Sequence, residues 1–155
     1  MVIRMKVDIV DDNIIVFLNK YITKDLDYND SKVLEVELKN IFDKLNLYHG
    51  IKIKGYYDVH IYIDDNFGII IELIKDDIDY IDYDDIIDMK ISINNVKLLY
   101  KIEDIFMFNK LGSIYLYKNN LYLEPNIYDI YLFENSEIVY KNIDDIRKYG
   151  RILKI

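Results

Sequence analysis

The carboxylates carry most of this chain's capacity for chemistry, and many stand in adjacent pairs: Asp11/Asp12, Asp64/Asp65, Asp76/Asp77, Asp84/Asp85 and Asp144/Asp145. General acid–base work needs one carboxyl buried, so that its pKa rises, and a second kept ionised. All these pairs fall where turns, a linker or a helix start are expected, so they read as solvated acids and no catalytic residue is assigned. Asp76–Asp88 holds seven aspartates among thirteen residues. Clustered oxygens suit a hard cation, but a calcium loop needs regular acidic spacing, a central glycine and a closing glutamate. That segment has neither Gly nor Glu, so no metal site is expected. His49 and His60 are the only histidines, and there is no cysteine, so thiolate and zinc ligand sets are not expected. Gly50, Gly55, Gly68, Gly112 and Gly150 never fall in a phosphate-cradling spacing. No cofactor is expected, and the chain is not read as an enzyme.

Tyr115, Tyr117 and Tyr122 form a stripe in the second half of the chain. Tyrosine joins an apolar ring to a polar tip and is enriched at interfaces. Two readings stay open here, an ordinary sheet face and an interaction face.

Composition sets the frame for these residues. The 155 residues are 52% hydrophobic and 31% charged, proportions of a folded soluble protein. Ile, Asn, Lys, Tyr and Asp dominate, residues that AT-rich codons encode. The net charge is -8, which disfavours contact with a phosphate backbone and favours basic protein partners. The excess sits mainly in the middle, where residues 76–100 carry 2 basic and 7 acidic groups. Met1–Asp8 alternates apolar and polar residues without the apolar core of a signal peptide. No run approaches the roughly 18 apolar residues of a membrane span. The expected location is the cytoplasm, with no membrane or nucleic-acid partner.

The elements that must position these residues follow from period and punctuation. Ile3, Met5, Val7 and Ile9 alternate with polar residues, Asp11-Asp12-Asn13 turns the chain, and Ile14–Leu18 is a continuous apolar run. This predicts a hairpin whose second strand is covered on both faces. Leu34, Leu38, Ile41, Phe42 and Leu45 form one helical stripe, with N-cap candidates Asn29-Asp30-Ser31 and Gly50 as the stop. Ile51–Lys54 and Val59–Ile63 alternate, Asp64–Gly68 turns, and Ile69–Ile74 returns as an apolar strand. Further on come a strand near Met89–Ile93, a helix near Ile102–Phe108, and a hairpin after Gly112 turning at Asn119-Asn120. A helix is expected with Pro125 in its first turn, then a strand at Ile138–Tyr140 and a short helix capped by Asn142 and stopped by Gly150. The expected fold is α+β, two small antiparallel-sheet-plus-helix domains, the first β-β-α-β-β. Residues 1–75 form the first domain, 76–87 an acidic linker and 88–155 the second.

Taken in this order, both halves resemble the MecA family. The resemblance rests on the hairpin Lys6–Leu18, the block Ile51-Lys52-Ile53-Lys54-Gly55, the strands Val59–Ile74, and the acidic stretch leading into Met89-Lys90-Ile91-Ser92-Ile93. In the second half it rests on Leu99–Phe106, Ser113–Leu123 and the ending Arg147-Lys148-Tyr149-Gly150-Arg151. The chain is shorter than is usual for that family, and Tyr56 stands where the family has a proline. The family's members are bacterial adaptors that hand client proteins to a ClpC-type AAA+ unfoldase for regulated proteolysis, and negative regulators of genetic competence. The resemblance implies a client-binding first domain and an unfoldase-binding second domain. Glu124, Asp129 and Glu134 would be the acids nearest the unfoldase, with Tyr115, Tyr117 and Tyr122 as a further partner face. The alternative is a sequestering regulator that covers a basic protein surface without any protease.

Overall fold

The computed structural model describes residues 5–19, 29–75, 87–105, 110–126 and 129–153. The hairpin β1 (Met5–Val10) and β2 (Asn13–Asn19) opens the chain, turning through Asp11 in a left-handed conformation at φ 56°. Helix α1 (Ser31–His49) follows where the apolar stripe predicts it, burying Leu34, Leu38, Ile41, Phe42 and Leu45. Asp30 caps its start by accepting the backbone N–H groups of Lys32 and Val33. Gly50, at φ 66°, lets its own N–H and that of Ile51 reach back to the carbonyls of Asn46 and Leu45.

Strands β3 (Gly55–Asp64), β4 (Gly68–Lys75) and β5 (Ile87–Asn95) complete a five-stranded sheet in the order β1-β2-β4-β3-β5. Its inner residues, among them Val16, Leu18, Tyr57, Val59, Ile61, Ile69, Ile71 and Leu73, alternate along the strands and pack under α1. Ile51–Lys54 was expected as strand but forms none; the chain leaves the left-handed cap irregularly and buries only Ile53 before β3 begins.

Two expectations need correction. The strand near Met89–Ile93 does form, but it pairs with β3 in the first sheet and in parallel, so that sheet is mixed and extends past residue 75. Its period showed a strand but could not show its partner. The chain after β5 is pinned to the end of β3 by the Val96 N–H on the Ile63 carbonyl at 2.8 Å. The linker 76–87 lies outside the described residues up to 86.

The second sheet is antiparallel throughout, in the order β10-β7-β8-β6-β9. It comprises β6 (Leu99–Ile102), β7 (Gly112–Tyr117), β8 (Asn120–Pro125), β9 (Glu137–Val139) and β10 (Arg151–Leu153). Helices α2 (Ile130–Asn135) and α3 (Ile143–Tyr149) accompany it. The β7–β8 hairpin turns at Lys118-Asn119, one residue earlier than expected. Both residues have positive φ, 47° and 64°, the twist a two-residue hairpin loop demands. Pro125 is not in a helix: it closes β8 opposite Gly112, at a strand end where a missing N–H is tolerated. The helix expected near Ile102–Phe108 loses Ile102 to β6, and its residues 106–108 lie outside those described. Strand β10 was not anticipated.

The two sheets share apolar contact. Phe17 and Ile70, on the face of the first sheet turned away from α1, pack with Leu98, Tyr100, Ile102, Ile114, Leu123, Leu132, Phe133 and Ile138. This explains why Ile14–Leu18 is apolar without interruption and Ile69–Ile74 is apolar but for Glu72: α1 covers one face and the second sheet the other. Lys6 adds a polar link, donating to the Ser136 carbonyl at 2.9 Å.

Candidate functional site

The most site-like feature lies where the two sheets meet. A cleft of about 810 Å³ is lined by the end of β3 and its turn (Tyr62, Asp64, Asp65, Asn66), the end of β5 (Asn94, Asn95), Lys97, Tyr140 and the start of α3 (Asn142, Asp144, Asp145, Arg147). The β3–β4 turn and the α3 start bring Asp65, Asp144 and Asp145 to its rim, exposed to solvent.

Asp64 departs from the expectation of a solvated acid. It is 5% exposed, and its two carboxylate oxygens accept the N–H groups of Asn66 at 3.0 Å and Leu98 at 2.9 Å. It therefore ties the β3–β4 turn to the segment entering β6. Glu72 is the other buried acid among the described residues, missed in the sequence. The signal was there, a lone carboxylate in the apolar run Ile69–Ile74. Glu72 accepts the Tyr140 hydroxyl at 2.8 Å and pairs with Lys141 at 2.6 Å, joining the first sheet to the chain just after β9. The Tyr140 ring lies 4.9 Å from that of Tyr62 and meets Phe17 edge-on at 6.5 Å.

Burial raises the Tyr140 pKa above its ordinary value, and the hydrogen bond to ionised Glu72 raises it further. Tyr62 is raised chiefly by burial and then by the Glu72 charge, against the opposing charge of Lys141. Both phenols stay protonated through neutral pH, and that of Tyr140 donates to Glu72.

The strand register also sets Ser92, His60 and Glu72 side by side on three neighbouring strands. The order is that of a nucleophile, a base and an acid. The Glu72 carboxylate, however, is held by Tyr140 and Lys141, and no hydrogen bond joins His60 to either neighbour. The row as it stands is not a relay. His49 is the last residue of α1. Among the described residues no three His, Asp or Glu side chains cluster to hold a metal ion, and no helix is long and apolar enough to cross a membrane.

The six residues singled out for partner contact divide between the two faces of the second sheet. Tyr115, Tyr117, Tyr122 and Glu124 lie on the face beside α3. Tyr115 is buried with Leu99, Ile143 and Ile146, and Tyr117 and Tyr122 pack half-buried against that cluster. The Tyr115 hydroxyl donates to Glu124 at 3.1 Å, and Arg147 approaches the same carboxylate at 3.4 Å. Burial raises the Tyr115 pKa, with the Glu124 hydrogen bond adding to it. Asp129 and Glu134 belong to α2, whose Leu132 and Phe133 pack on the opposite face. Asp129 caps α2 through the Leu132 N–H at 3.0 Å, and Glu134 is half-buried. Beside α2 runs a smaller groove of about 370 Å³, lined by Lys101, Glu103, Asp104, Tyr131, Asn135 and Glu137. Tyr131 is 54% exposed at its edge.

Compared with protein-family models, curated proteins and solved structures, the chain matches none.

Proposed function

We propose that this chain is a protein-binding adaptor of the MecA kind, which holds a client beside a ClpC-type AAA+ unfoldase for regulated proteolysis. The observation that carries the reading is the serial layout of two sheet-and-helix units, in the order the resemblance implies, with different faces left open on each. The side chains best equipped for chemistry support it: Asp64, Glu72, Glu124 and Asp129 all hold the fold together. Adaptors act by raising the local concentration of a client, which needs surfaces and no reacting group. The contact between the sheets makes the adaptor a rigid bracket, presenting both partners at a fixed angle.

Within this reading the unfoldase docks on the outer side of α2. Tyr131 is its anchor and Glu134, with the groove acids Glu103 and Glu137, its charged surround. Asp129 supports that surface by capping α2, and Tyr115, Tyr117, Tyr122 and Glu124 form a separate partner face beside α3. The work takes place in the bacterial cytoplasm, with neither membrane nor nucleic acid as a partner. Purified chain mixed with the ClpC-type ATPase of its host should co-elute with it and stimulate ATP hydrolysis. Tyr131→Ala should reduce the stimulation several-fold while leaving thermal stability unchanged. If the chain neither co-elutes nor stimulates, the adaptor reading is wrong.

The acid-rimmed cleft favours a second reading, a sequestering regulator that covers a basic protein surface without a protease. Asp65, Asp144 and Asp145 suit cationic side chains there. Client lifetime separates the two readings: an adaptor shortens it in a protease-dependent way, and a sequestering protein leaves abundance unchanged.

A further inference from the structure

The cleft between the two units is walled by side-chain amides as well as by acids. Asn66 lies in the β3–β4 turn, Asn94 and Asn95 end β5, and Asn142 precedes α3; all four are exposed and line the cleft. Asn94 stands level with Tyr62 in the parallel pairing of β3 with β5. Asn142 holds the N-cap position of α3 in a left-handed conformation at φ 59°, yet its side chain makes no capping bond. Capping is the usual reason for an asparagine at a helix start, and here the residue lines the cleft instead. The walls are braced. The Val96 N–H meets the Ile63 carbonyl at 2.8 Å, the Leu98 N–H meets Asp64 at 2.9 Å, and Arg147 Nη2 donates to the Lys97 carbonyl at 2.7 Å. These bonds hold the end of β3, the segment entering β6 and α3 in one frame, so the amides are in place before anything binds.

We propose that this cleft grips an extended, basic segment of a partner protein by its main chain. A primary amide carries two donors and a carbonyl acceptor, so one asparagine can donate to a peptide carbonyl and accept from the N–H beside it. Every non-proline residue of an extended segment offers that pair, whatever its side chain. The volume of about 810 Å³ is that of a small-ligand cleft and admits a few residues, not a folded domain. Charge selects which segments enter. Asp65, Asp144 and Asp145 stand exposed at the rim, Lys97 is the exposed cation among the lining residues, and Arg147 is drawn to Glu124 at 3.4 Å. Lysine or arginine side chains therefore suit the rim while the main chain lies on the amides. This rests on the reading that the cleft receives a basic protein surface, and it narrows that surface to an extended stretch.

Fluorescence anisotropy of a labelled, alternating alanine–lysine peptide titrated with the full chain tests this. Binding should weaken as salt rises. Asn66→Ala and Asn94→Ala should each weaken it about fivefold, the loss expected of one neutral hydrogen bond. Backbone N-methylation of the peptide removes its N–H donors and keeps its charge, and should weaken binding at least as much. Asp65→Asn should weaken it too and reduce the salt dependence. The three altered side chains are exposed, so the circular dichroism of each variant should match that of the parent. Binding that falls with Asp65→Asn but ignores both amide changes and N-methylation overturns the main-chain grip and leaves the basic-surface reading standing. Spermine that competes as strongly as the peptide at equal charge also overturns the grip, because it has the cations and no peptide bond. No binding of the peptide by the unaltered chain removes both.

Discussion

At the scale of single residues, the Glu72–Tyr140–Lys141 group is the most consequential contact. A buried carboxylate is tolerated because a phenol and an ammonium meet it from the other unit. Tyr140→Phe removes a hydrogen bond to a charged group and should cost about 1.5–3 kcal/mol in urea unfolding. In a cycle with Glu72→Gln, the two changes should be less than additive, with a coupling of about 1 kcal/mol. The raised Tyr140 pKa fixes the sign of one pH effect. A phenol whose pKa is higher folded than unfolded stabilises the fold fully below the unfolded value of about 10, and loses that contribution as pH rises through the folded value. Stability should therefore fall above about pH 10, and Tyr140→Phe should flatten the fall. A descent of equal steepness in the variant would remove Tyr140 as its cause. Little of this group was legible in the sequence. Glu72 stood out only as an acid among isoleucines, and nothing local pairs it with a tyrosine sixty-eight positions away.

At the scale of elements, what was legible depended on whether a segment's partners are local. Helix α1 could be read almost completely, since its stripe, its Gly50 stop and the three cap candidates, of which Asp30 is the one used, all lie within or beside the segment. Asp30→Ala should lower stability by about 1 kcal/mol, and Leu38→Ala by about 2–5 kcal/mol through the cavity it leaves beneath the helix. Thermal melts followed by far-ultraviolet circular dichroism would measure both. Strand β5 was legible as a strand but not as a member of the first sheet, because alternation does not name a neighbour. Pro125 misled for a related reason: a helix start and a strand end both lack a backbone N–H partner, and only the pairing with Gly112 decides between them. The tyrosine stripe, for which two readings stayed open, lies on a sheet face that α3, seven residues long, covers in part.

At the scale of the whole molecule, the core around Phe17 and Ile70 governs behaviour. Two units that share an apolar interface of this kind should unfold together. Denaturation followed by tyrosine fluorescence and by circular dichroism should give coincident transitions, and Ile70→Ala should shift both by the same amount. Separate midpoints would show that the units melt independently. The α+β class, the order of most elements and the core of α1 could be read from the chain. The packing of one unit on the other could not, because a strand apolar on both faces announces a cover without saying what provides it.

The parallel pairing of β3 with β5 bears on how the chain is made. A ribosome releases β3 well before β5, so the first sheet stays one strand short until Asn95 has emerged. Phe17 and Ile70 then wait longer still, until Phe133 and Ile138 arrive. For that interval the nascent chain presents a greasy flank to whatever is nearby, and chaperone capture competes with completion. Stalled chains ending before Phe133 should be readily cut by protease, and chains extended past Leu153 should resist it.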